Sequence, residues 1–171
     1  MRRLATAALA LAALGTAEGR SAIEAGFAPE ANKPGDGSVA MVESSRSEDL
    51  VTILVVGSAP TAIFGAAFDV TYDSSGADYV GWAPGTLLEQ GGSSPNYTVA
   101  PSRNGTVVVG ASRTGALGVP ALGQAIVSLT FRVRRAGAFA LAFRNAALYD
   151  SRTPPQPIGG ITWRAGALTG S

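Results

Sequence analysis

The side chains best suited to chemistry in the strand-rich part of the chain are five acids: Asp69, Asp73, Asp78, Glu89 and Asp150. Two carboxylates about 5–9.5 Å apart across a cleft can cleave a glycosidic bond. These five do not read as such a pair. Most stand at strand ends or in turns, where Asp accepts hydrogen bonds from its own local backbone. Asp73 and Asp78, with loop carbonyls, have the oxygen chemistry of a calcium site, but turn stabilisation accounts for them more simply. The sequence holds no Cys and no His. Disulfides, thiolate chemistry, the commonest general base and the commonest zinc ligand are therefore all missing. Catalysis would rest on carboxylates, hydroxyls and Lys33, and the sequence argues against an enzyme.

Planar rings offer a second chemistry, stacking on sugars. Trp82 beside Pro84-Gly85, and Tyr97 after a Gly-Ser loop, are the rings expected at the surface. They are the candidate carbohydrate-binding residues. Nucleic acid is excluded as a partner on charge: charged residues are 15% and the net charge is +1, which gives no field for phosphate. The Gly-rich stretch 115–123 leads into no helix and cradles no phosphate.

These residues must be held by strands. The stretch Phe64-Gly65-Ala66-Ala67-Phe68-Asp69-Val70-Thr71-Tyr72-Asp73 alternates with period two. Phe64, Ala66, Phe68, Val70 and Tyr72 form a face fit for a core. Gly65, Ala67, Asp69 and Thr71 form a small, polar face open to water or a partner. Further strands are predicted over 39–43, 49–56, 77–82, 86–89, 97–100, 106–111, 124–134, 138–144, 146–149 and 158–168, nine or so in all. Within 124–134, Val127, Leu129, Phe131 and Val133 are expected inward, and Ile126, Ser128, Thr130 and Arg132 outward. Asn104-Gly105 is a two-residue hairpin turn. Strands joined by short turns without a helical period mean a sandwich or barrel. A hydrophobic content of 46% supplies its core.

Residues 1–17 read as a signal peptide: Met1-Arg2-Arg3, an apolar run over 4–14, then Gly15-Thr16-Ala17. The run is shorter than the ~20 residues that span a bilayer, so the mature chain carries no membrane span. Removing Arg2 and Arg3 takes the charge from +1 to −1. Residues 18–37 read as a flexible lead-in, and 38–169 as the folded domain. The expected destination is secreted, extracellular or periplasmic.

The ordered set of strands resembles the cohesin family. The resemblance rests on Val51-Thr52-Ile53-Leu54-Val55-Val56 and on the strand ending in Tyr72-Asp73. It continues through Gly85-Thr86-Leu87-Leu88, through Gly123 to Val133, and to Ile158-Gly159-Gly160-Ile161. It implies a nine-stranded jelly-roll β-sandwich that docks a dockerin of another protein, usually within a polysaccharide-degrading assembly. It implies no cofactor in this chain, since calcium sits in the dockerin. One class of cohesins carries an outward Asn and Asp where this chain has Gly65 and Ala67. An acidic residue of that class falls near Ser112, while Gly115 keeps a glycine. The candidate partner-binding residues are Gly65, Ala67, Asp69, Thr71, Ser112, Arg113 and Gly115. The other readings are a carbohydrate-binding module of related fold and a structural surface domain without a soluble ligand. Mass spectrometry of the exported protein is expected to find a mature chain beginning at Glu18; an intact Met1 would refute the export reading.

Overall fold

A computed structural model describes residues 22–103 and 105–171. The signal segment 1–17, the start of the lead-in and Asn104 lie outside the described residues. Eleven strands occur: β1 (Ala25–Pro29), β2 (Ser38–Ser47), β3 (Leu50–Ser58), β4 (Gly65–Tyr72), β5 (Ala77–Pro84), β6 (Asn96–Ser102), β7 (Thr106–Ser112), β8 (Leu122–Val133), β9 (Gly137–Tyr149), β10 (Thr162–Arg164) and β11 (Gly166–Gly170). They form two sheets, β1-β11-β9-β4-β7-β6 and β10-β2-β3-β8-β5. Every pairing is antiparallel except β10 with β2. The all-β sandwich expected from the alternating pattern is the observed architecture.

The sheets are joined by aromatic side chains of β4. Phe68 is buried against Trp163 of the facing sheet, with ring centroids 5.6 Å apart. Phe143 on β9 completes this cluster, 5.5 Å from Phe68 and 5.0 Å from Trp163. Two repeats of the pleat away, Tyr72 meets Phe131 of β8 at 5.4 Å. Edge-on aromatic pairs of this kind add about 0.5–1.5 kcal/mol beyond the area they bury. Val127, Leu129, Phe131 and Val133 of β8 are all buried, as their alternation requires.

Five register shifts interrupt the ladders, and two of them change which expected residues face the core. On β8 the register steps from Val55↔Val127 to Val56↔Ala125, which leaves Ile126 as an extra residue. Ile126 is therefore fully buried beside Val127 rather than outward. On β9 the register steps from Ala67↔Ala147 to Asp69↔Arg144. One continuous strand replaces the two expected over 138–149. Phe139 and Leu141 point inward before the step and Leu148 after it, because one added residue exchanges the two faces.

Three other expectations are corrected. Residues 86–89 form no strand: Leu87 and Leu88 are fully buried in a loop that plugs the core, and Leu87 N–H donates to Ala125 O at 2.8 Å. The final segment splits into β10 and β11, one in each sheet. The flexible lead-in over 18–37 contains β1, which pairs with β11 and buries Ala25 and Phe27. Its edge N–H at Phe27 donates to the Glu43 carboxylate at 2.8 Å. Ala-Gly-Phe-Ala-Pro has too few large residues to show a period, so tertiary pairing decides it. Phe27→Ala is expected to lower unfolding stability by about 3 kcal/mol in a denaturant titration; an unchanged midpoint would mean β1 is not part of the fold.

Candidate functional site

The outward side of β6-β7-β4-β9 is built mostly of small residues. Four ranks cross it in register. The first runs Tyr149, Gly65, Ser112, Asn96, and the second Ala147, Ala67, Gly110, Thr98. The third is Arg144, Asp69, Val108, Ala100, and the fourth Ala142, Thr71, Thr106, Ser102. At the end of the first two ranks lies a shallow depression of about 420 Å³, bordered by Phe64, Ala67, Thr98, Gly110, Tyr149 and Pro155. Gly65 forms part of its floor. A Cβ on Gly65 would lie 2.8 Å from Ala111 O, closer than van der Waals contact permits. Glycine is there because β4 and β7 approach so closely.

Five of the seven candidate partner-binding residues share this face. Gly65, Ala67, Asp69 and Thr71 line up along β4, with Ser112 at the end of β7. Thr71 Oγ1 donates to Ala142 O at 3.3 Å, so its hydroxyl is partly engaged. Arg113 and Gly115 leave the face. The Arg113 guanidinium donates to Leu88 O (2.7 Å) and Leu117 O (3.1 Å), pinning two loops. Gly115 turns the chain with φ +101 and borders a separate hollow between loops 91–94 and 113–117. Two of the three guanidinium nitrogens of Arg113, a candidate partner-binding residue, are thus engaged by backbone carbonyls.

Sequence reasoning overlooked Asn145. It occupies the β9 bulge with φ 49, a left-handed conformation that Asn tolerates better than most residues. Its Nδ2 donates to Asp69 Oδ2 at 2.7 Å. The signal available in the sequence was Arg144-Asn145-Ala146 interrupting an apolar alternation.

The other candidate chemistry is placed as follows. Trp82 on β5 is 39% exposed and leans on Tyr97 of β6, with centroids 5.3 Å apart and planes at 39°. Tyr97 is half-buried, not an exposed ring: its Oη donates to Ile126 O at 2.9 Å. Burial pushes its phenol pKa up, opposed by the Gly85 carbonyl contact and reinforced by Glu89. The pair closes the gap between two sheet edges instead of lying side by side as a flat platform. Asp73 accepts from Ser75 N–H at 2.8 Å. Hydrogen bonds from Ser75 hold its carboxyl below the usual carboxylate range, with Arg135 and Arg134 adding to the effect. Asp78 pairs with Arg134 at 3.2 Å. Among the described residues no cluster of three or more acids could hold a metal ion.

The family model for the cohesin domain matches residues 38–151. The chain belongs to the cohesin family. Its fold is shared with solved cohesins at low sequence identity. The type II cohesin dyad of the adaptor ScaA scaffoldin of Acetivibrio cellulolyticus aligns with a TM-score of 0.62 and 14% identity, over 76% of this chain and 48% of that one. The cohesin CaCohA2 of Clostridium acetobutylicum aligns at 0.57 and 17%, over 75% and 88%. The sixth cohesin of the A. cellulolyticus scaffoldin B, solved in complex with a Cel5 dockerin mutant, aligns at 0.51 and 17%, over 82% and 97%. No curated protein matches the sequence. Within this cohesin fold, Gly65→Ala is expected to cost about 1–3 kcal/mol through the forced separation of β4 and β7; a melting temperature equal to wild type would show that the strands can part freely.

Proposed function

We propose that this cohesin domain is a non-catalytic docking module. It receives a dockerin-type protein on the outward side of β6-β7-β4-β9, as part of a polysaccharide-degrading or surface assembly. Family membership is the observation that carries this reading. The open face of small residues supports it, because Gly65, Ala67, Gly110 and Ala147 let a partner helix approach the sheet backbone closely. The absence of His and Cys from the chain agrees with a role in binding rather than turnover. Residues 1–17 would direct export, so that docking occurs outside the cytoplasm. Calcium, where needed, would be held by the partner.

Calcium-loaded dockerins encoded in the same genome provide the test, with affinity read by calorimetry. Wild type is expected to bind at least one of them. Ala67→Arg, which sets a long charged side chain on the face, is expected to weaken that complex at least tenfold with no change in circular dichroism. Trp82→Ala is expected to leave it unchanged. Absence of any complex, or indifference to Ala67→Arg, would remove the docking assignment.

A further inference from the structure

One polar device on the proposed docking face has no evident structural need. The β9 bulge requires a left-handed residue, and glycine would fill that position without strain. Asn145 stands there instead, exposed, with its amide directed at Asp69. An exposed hydrogen bond of this kind contributes little to folding stability. Its effect is to fix one Asp69 oxygen. Among the described residues the other oxygen, Oδ1, takes no hydrogen bond from the protein, although Asp69 is half-buried. The carboxylate is thus oriented and half-satisfied. Beside it Val108 is 41% exposed, an apolar neighbour in the same rank. Arg144, also exposed, is its rank neighbour on β9 but forms no ion pair with Asp69 within 4 Å.

We infer that Asp69, held by Asn145, is the polar anchor of the docking face, and that it accepts an uncharged hydroxyl or amide donor from the partner helix. This inference rests on the docking reading above. The class of donor follows from charge. An ammonium approaching Asp69 meets Arg144 in the same rank, so the attraction is offset, whereas a neutral donor gains the hydrogen bond without that repulsion. Spacing follows from the strand. Asp69 lies two residues beyond Ala67, which borders the depression, a separation of about 7 Å. Residues three or four apart on a helix are about 4.5–6 Å apart along its axis. The fitting partner is therefore a helix with an apolar side chain in the depression and a hydroxyl or amide residue three or four positions away. The chain's own sequence places this acceptor one outward position further along β4 than the polar pair its class resemblance would suggest.

Four variants of the intact domain, measured against the dockerin that wild type binds, decide the matter. Asp69→Ala is expected to weaken binding at least tenfold. Asn145→Gly keeps the bulge conformation and removes only the amide; it is expected to weaken binding several-fold while thermal stability is kept or raised. Asp69→Asn, which retains an acceptor, is expected to lose less than Asp69→Ala, and wild-type affinity is expected to change less than threefold between 0.1 and 0.5 M NaCl. Ala67→Arg serves as the control for the face itself. If Ala67→Arg abolishes binding while Asp69→Ala and Asn145→Gly bind like wild type, the face stands and the anchor is refuted. A steep loss of affinity with salt, with Asp69→Asn as damaging as Asp69→Ala, would overturn the neutral donor in favour of a cation. If no variant changes the affinity, the docking face itself is misplaced and the anchor goes with it.

Discussion

Contact between Phe68 of β4 and the aromatic side chains of the facing sheet is the constraint on which this domain depends. Each sheet alone has one apolar side that water disfavours. Phe68 reaches Trp163, and Tyr72 reaches Phe131, so a single strand is stitched to both a short edge strand and the longest strand of the other layer. Because side chains alternate, committing Phe68 and Tyr72 inward commits Ala67, Asp69 and Thr71 outward. The interior contact and the exposed face are one decision, made by the register of β4.

The bulges then tune what that decision leaves at the surface. The step in β9 lets Phe143 and Leu148 both face the core though they differ in parity. The residue left over is Asn145, and its location beside Asp69 follows from the register and not from a loop. A polar pair on a sheet is held more firmly than one on a loop, since its backbone is bonded on both sides. Small neighbours in the adjoining ranks keep the pair accessible.

Much of this was legible in the sequence, and the failures share a physical origin. The alternation of 66–72 and of 127–133 gave the right inward residues, because large and small side chains differ sharply at successive positions; it failed at Phe64, which borders the outward depression while Ile63 takes the core position. Ile126 and the break at Asn145 were misread since a bulge shifts parity without changing composition. β1 was missed because its burial comes from pairing with β11, a partner some 140 residues away. Leu87 and Leu88 looked like a strand, yet two adjacent Leu residues both turned inward cannot lie on a regular, unbulged one. Arg113 looked free until its guanidinium was seen to hold two carbonyls. The small outward face of β4 was visible from the start; the acceptor that gives it direction needed the fold.

The pairing of β1 with β11 has a mechanical consequence. Glu24 and Ser171 exchange two backbone hydrogen bonds, at 3.0 and 3.1 Å, and the antiparallel ladder runs inward from them. Tension drawn between these two residues would load that ladder like a zip, rupturing one bond at a time, rather than shearing all of them together. Under traction the module would therefore peel open first at β1, while β4 and its neighbours, with the proposed docking face, keep their shape.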